Sequence, residues 1–190
     1  MKRQSKRQQI IETSYEVFRE SGFFATSMDE LIEAANVSRR TMYNHFSSKN
    51  ALVLAVIEYY ADDYERNLNN FFIQKNAYST IDKLQALFDF TSVWYKNKLF
   101  HGCVAVQAMT EYGQHDKEIV RVCHEFKNRQ FLLISDLVRQ AKLKKPETIA
   151  RQLFVAIEGL TVIAGFSEDH LPKDTSSLFE KIGQPPLLSP

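Results

Sequence analysis

The sequence predicts an all-α fold, three short helices at the N-terminus followed by a larger region of long helices. Three observations carry that prediction. Apolar residues recur at intervals of three and four along most of the chain, the spacing that lines one face of a helix. No segment of comparable length alternates apolar and polar residues between turn signals, as a half-buried strand would. Between the apolar stripes lie helix starts and stops: Gly22, Ser27, Ser38, Ser47 or Ser48, and Pro146.

Taken in order, the first stripe is Ile11, Tyr15 and Phe18, and Gly22 sits where that helix should stop. Ser27 followed by Glu30 has the spacing of a capping box, which opens a second helix striped by Met28, Leu31, Ile32 and Ala35. Ser38 caps a third, pinned by Met42 and Phe46. Ser47 or Ser48 caps a fourth, with Leu52, Ala55, Val56, Tyr59 and Tyr60 on its inner face. Ile81, Leu84, Phe88, Thr91 and Trp94 or Tyr95 make the next long stripe, and Ile119, Val122, Phe126, Leu133 and Leu137 another. Pro146 is suited to the first turn of the last helix, where its missing N–H would have no partner anyway; Ile149, Leu153, Ala156, Ile157, Leu160, Ile163 and Ala164 follow it. The expected organisation is a helix-turn-helix domain over residues 1–50, a helical domain over residues 51–184, and a loose tail over residues 185–190, with the boundary inside a fourth helix that belongs partly to both.

Composition narrows the function classes. A chain of 190 residues can bury a real core, and 44% hydrophobic with 25% charged residues is a globular balance. No run approaches the roughly 18 apolar residues that cross a bilayer. The basic start MKRQSKRQQI leads into an amphipathic, acid-rich segment instead of the apolar run of a signal peptide, so a cytoplasmic location is expected. Cys103 and Cys123 are too few for a disulfide framework and fit a reducing compartment. His101, Cys103, His115, Cys123 and His124 show no metal-ligand spacing, so no metal and no cofactor are expected. No nucleophile elbow, phosphate-cradling glycine loop or HExxH occurs, which argues against an enzyme. The net charge is only +1, and the first 50 residues hold eight Lys or Arg against six Asp or Glu, so charge alone does not identify a nucleic-acid binder.

The segment NVSRRTMYNHF is more informative. Helices two and three are joined by about three residues, the connection length of a helix-turn-helix, and Asn36 occupies the position where the backbone turns left-handed. Val37 plugs the angle, Met42 and Phe46 face inward, and Arg39, Arg40, Thr41, Tyr43, Asn44 and His45 surround the rest of a helix of about two turns. A helix that merely closed a core would expose Glu, Lys and Ala, which form helix more readily. Guanidinium forks match guanine edges and phosphates, asparagine pairs with adenine, and tyrosine reaches phosphate oxygens, so the set suits a major groove. The competing reading makes Tyr43 and His45 half-buried packing residues and the two arginines a solvated face.

The stretch FFATSMDELIEAANVSRRTMYNHFSSKNAL resembles the DNA-binding signature of the TetR/AcrR family of transcription regulators, keeping Ser27, Val37, Ser38, Thr41, Tyr43, Phe46, Ser48, Lys49 and Leu52. It departs from the family pattern at Asn36, where glycine is usual. The resemblance covers about the first quarter of the chain. It implies that Ser27, Tyr43 and Lys49 clamp phosphates, and that Ser38, Arg39, Arg40, Thr41, Asn44 and His45 meet bases or nearby phosphates. The basic arm Lys2, Arg3, Lys6 and Arg7 either follows a groove or is a free tail.

The resemblance further implies a homodimer on a near-palindromic DNA operator, with half-site centres about 34 Å apart or slightly more. Candidate interface helices are the two most continuously apolar ones, roughly His115 to Lys142 and Pro146 to Phe166, with Phe131, Leu137, Phe154, Ile157 and Gly159 as candidate contacts. The middle helices are rich in aromatics, and either these are plain core or they line a pocket for a small hydrophobic effector. The candidates for such a pocket are Tyr60, Tyr64, Phe88, Trp94, Cys103, Gln107 and Thr110. The Gly-Cys opening of HGCVAVQAMTEYG resembles one branch of the family, whose members respond to hydrophobic or electrophilic molecules; Cys103 is a sensor on that reading and an inert small hydrophobe on the other. The resulting expectation is a DNA-binding repressor released by a hydrophobic or aromatic effector. The alternative is a DNA-bound adaptor that recruits a protein partner and takes no effector.

Overall fold

A computed structural model of the protein describes residues 5–95 and 102–164, without the side chains of Trp94 and Tyr95. Over these residues the chain forms helices α1 (Lys6–Ser21), α2 (Met28–Ala34), α3 (Arg39–His45), α4 (Lys49–Gln74), α5 (Thr80–Tyr95), α6 (Val104–Tyr112), α7 (Lys117–Gln140) and α8 (Pro146–Ala164). None of them is long and apolar enough to cross a membrane.

The helix ends follow local chemistry. The Ser5 hydroxyl accepts the Gln8 N–H at 3.2 Å and starts α1, and at its far end the Gly22 N–H returns to the Phe18 carbonyl at 2.9 Å. Gly22 has φ +84°, and an added Cβ would press on the Glu111 carboxylate at 3.3 Å, so both backbone and space favour glycine. Both halves of the Ser27–Glu30 capping box are formed. Asn36 has φ +49°, and behind it the Val37 N–H folds back to the Ile32 carbonyl at 3.2 Å, closing the turn into α3. Ser48, not Ser47, caps α4, accepting the Ala51 N–H at 3.1 Å.

By its contacts the chain divides into two compact units, residues 1–64 with 103–126, and residues 65–102 with 127–190; α4 and α7 contribute to both. The first unit buries Ile10, Phe18, Phe23, Leu31, Met42, Leu52, Ile57 and Tyr112 almost completely. Phe18 and Phe23 lie 4.8 Å apart, and Phe126 receives the edges of Tyr60 and Tyr64 at 5.4 and 5.6 Å. In the second unit α5 packs on α8, burying Leu84, Leu87, Phe88, Ile149, Leu153, Ile157 and Leu160. Two inward assignments are corrected: Ile81 and Leu133 are exposed. On α7 the buried residues of this stretch are Ile134, Leu137 and Val138.

Candidate nucleic-acid interface

Helix α3 has seven residues, and its inner side is only Met42 and the C-cap Phe46, both buried. Its start is set by hydroxyls. Ser38 Oγ accepts the Thr41 N–H at 3.1 Å and lies 2.8 Å from Thr41 Oγ1, so the two hydroxyls also hydrogen-bond each other. Around the rest of the helix Arg39, Arg40, Asn44 and His45 are exposed, Tyr43 shows 43% of its surface, and Thr41 is half-buried. The structure therefore brings the whole predicted set to one short, outward-facing helix. The Arg39 guanidinium pairs with the Asp29 carboxylate across the turn from α2.

Two further groups flank this helix. Ser27 is exposed at the start of α2; its oxygen accepts the Glu30 N–H at 3.2 Å, and its side chain also hydrogen-bonds the Glu30 carboxylate. Lys49 is the first residue of α4 and is half-buried. Burial lowers the pKa of its ammonium from the ordinary lysine value, opposed by the carboxylates of Glu111 and Glu30. From the basic arm, Arg7 lies over the Phe46 ring at 5.1 Å from its centroid and Lys6 donates to Gln9 Oε1 at 3.0 Å; Lys2 and Arg3 lie outside the described residues.

What holds this surface in place comes from far along the chain. Glu111, one residue from the end of α6, accepts the Phe23 N–H on Oε1 at 3.1 Å and the Phe24 N–H on Oε2 at 2.6 Å. Phe24 lies edge-on to Tyr112 at 4.7 Å and beside His115 at 5.7 Å. Asp116 caps α7 through the N–H groups of Glu118 and Ile119 and accepts the Asn50 side-chain amide at 2.8 Å. Helix α6 and the turn after it thus grip both the α1–α2 loop and the start of α4. Nothing local in the sequence marks Glu111 or Asp116 for this, since their partners stand 66 to 88 residues away.

The candidate effector residues are only partly gathered. Tyr60, Tyr64 and Cys103 are buried in the first unit, and the Tyr60 hydroxyl donates to Cys103 Sγ at 3.4 Å. Burial, then the neighbouring Cys103, pushes the Tyr60 hydroxyl pKa well above its ordinary value. Gln107 is half-buried against the Gly22 turn, while Thr110 is exposed with its hydroxyl on the Val106 carbonyl at 3.0 Å. Phe88 is fully buried in the second unit, and the Trp94 side chain lies outside the described residues. Cys103 and Cys123 are both buried and form no disulfide among the described residues.

Among the candidate contacts for a second copy, Phe131 and Phe154 are half-buried and meet edge to face at 5.6 Å. Gly159 is half-exposed, and a Cβ there would meet nothing within 4 Å. Leu137 and Ile157 are buried within the single chain, Ile157 in helical phase with Leu153 and Leu160. The open side of α8 is a shallow apolar groove lined by Phe154, Val155, Glu158, Gly159, Val162 and Ile163, with Val155 and Val162 exposed by 68% and 54%. Lys127 bridges from α7 to Glu158 at 2.9 Å.

Comparison with known proteins places this geometry. Residues 10–56 match the family model for bacterial regulatory proteins of the tetR family. The HTH-type transcriptional regulator YuxN of Bacillus subtilis is 25% identical over 159 residues, 83% of this chain and 53% of YuxN. The HTH-type transcriptional activator FasR of Mycolicibacterium smegmatis is 29% identical over 123 residues, 65% of this chain and 47% of FasR. The chain thus spans about half the length of these curated relatives. A TetR-type regulator from Streptomyces avermitilis superposes with a TM-score of 0.82 at 21% identity, covering 94% of this chain and 96% of that one, which establishes a common fold.

Proposed function

We propose that the chain, whose residues 10–56 match the family model for bacterial regulatory proteins of the tetR family, is a homodimeric repressor of that family released from its operator by a small hydrophobic or aromatic effector. The observation that carries the DNA reading is α3 itself: two buried residues anchor it, and every other side chain it owns is a hydrogen-bonding or cationic group. On this reading Tyr43, Lys49 and Ser27 hold phosphates, and Arg39, Arg40, Asn44 and His45 face the groove, with Ser38 and Thr41 fixing the start of the helix. Dimerisation is supported by the exposed apolar groove on α8, a face of Val155, Val162 and Gly159 that a second copy would cover. Residues 51–184 then serve as the effector and dimer domain.

An effector enters at the group formed by Tyr60 and Tyr64, on the same helix that begins with Lys49, and by Cys103 at the start of α6. It releases DNA only by the difference in its affinity for the DNA-competent and incompetent states, so DNA must weaken effector binding by the same factor. Repression follows from occupying a promoter; FasR, an activator, acts with the opposite sign.

The test is binding to a duplex enriched from a random library by the wild-type protein. Tyr43→Ala and Lys49→Ala should weaken binding to all duplexes and reduce the log–log salt slope by about one per lost phosphate contact, whereas Arg40→Ala and Asn44→Ala should change which duplex is enriched. Lys49→Ala binding as tightly as wild type at every salt concentration would remove the clamp assignment.

A further inference from the structure

The paired Arg39 and the unpaired Arg40 stand side by side on the same helix, and the difference between them points to a division of labour. The Arg39 guanidinium reaches back across the turn to Asp29 in the first turn of α2, and the two side chains are 62% and 68% exposed. An ion pair this open adds little to stability, because water solvates both charges nearly as well apart. It also sets a carboxylate on the surface that meets a polyanion, which disfavours every duplex alike unless the charge is neutralised. Arg40 has no acidic partner among the described residues.

Resting on the DNA-binding reading above, we propose that Asp29 is a positioning residue for base recognition: it holds the Arg39 guanidinium by one nitrogen and presents the remaining donors to a base edge, while keeping that cation from settling on phosphates. A guanidinium carries five N–H donors in a rigid plane, so engaging Nη2 with Asp29 Oδ1 fixes the plane and leaves donors for the two acceptors of a guanine edge. The backbone beneath it is already fixed by the Ser38 and Thr41 hydroxyls, so the side-chain torsions are the freedom that Asp29 removes. Arg40, unheld, is free to follow the phosphate chain. A phosphate can compete for Arg39 only by breaking the pair and leaving Asp29 bare beside the DNA. Asp29 thereby makes specific contact easier and non-specific contact harder through one bond.

The experiment uses the full-length protein, the duplex enriched by wild type, and a scrambled duplex of the same length and composition, each titrated at several salt concentrations. Asp29→Asn should bind the scrambled duplex more tightly, with a slope steeper by about one unit per subunit. Its preference for the enriched duplex should fall by about two- to fivefold, the most that an exposed pair of up to about 1 kcal/mol can contribute to holding the guanidinium. Base preference should relax at a single position in each half-site. In an Arg39→Ala background the Asp29→Asn change should move both duplexes equally and leave the preference unaltered, because Asp29 acts through Arg39. Asp29→Glu, which keeps the charge, should restore part of the preference. Unchanged preference in Asp29→Asn, or an equal loss of preference with Arg39 already absent, overturns the proposal while leaving DNA binding intact. Failure of wild type to enrich any duplex overturns the reading beneath it.

Discussion

Replacing Glu111 with alanine removes one carboxylate that accepts two backbone N–H groups, and the two losses differ in kind. Phe23 is fully buried, so its N–H has no water to turn to and forfeits a charge-assisted bond of about 1.5–3 kcal/mol. Phe24 is half-exposed, so its N–H is rehydrated at a cost of roughly 0.5 kcal/mol. The α1–α2 loop should therefore open more easily by about 2–3.5 kcal/mol, which raises amide exchange at Phe23 about 30- to 300-fold. The assay is native-state hydrogen exchange read residue by residue, with amides of α8 as the internal control. Glu111→Gln, which keeps one carbonyl acceptor, should fall between wild type and alanine. Exchange at Phe23 within about twofold of wild type would refute the account of α6 as the brace of this loop, and an equal acceleration in α8 would show a global loss of stability instead.

Other outcomes follow from particular side chains. The Tyr112 hydroxyl is buried without a hydrogen-bond partner among the described residues, so Tyr112→Phe should leave stability at neutral pH unchanged or raise it by about 1 kcal/mol in urea unfolding; a loss larger than that would reveal a partner. Burial, then Glu111 and Asp116, pushes the Tyr112 pKa up to about 12. In the unfolded chain it is near 10, so the folded state holds the proton longer, and the contribution present below pH ~10 is lost as pH rises toward about 12. Tyr112→Phe should make that alkaline fall shallower, and an unchanged slope would contradict the shift. Asn36 has φ +49°, so Asn36→Ala should cost about 1 kcal/mol while Asn36→Gly should be neutral or slightly stabilising; equal urea midpoints for the alanine variant and wild type would show that the turn relaxes.

What was legible in the chain is what neighbours within four residues decide. Gly22, the Ser27–Glu30 box, Ser38 and Pro146 mark helix ends because each acts on backbone groups within one turn of itself. The outward set on α3 was legible for the same reason: once Met42 and Phe46 point inward, the period alone assigns the remaining side chains to the outside. Phase errors crept in where two adjacent residues are both apolar, as at Leu133 and Ile134, since hydrophobicity alone does not say which of them faces the core.

The sequence by itself determined the all-helical class, the short turn at Asn36 and the chemistry carried by α3, because caps, periods and turns are written in adjacent residues. Only the tertiary structure decided that Asp29 holds Arg39, that Glu111 grips the amides of Phe23 and Phe24, and that Leu137 and Ile157 belong to the core while Val155 and Val162 stay open. Those pairings depend on which helix surfaces come together, a choice made by burying the apolar faces jointly, and no local pattern records where a distant segment will pack.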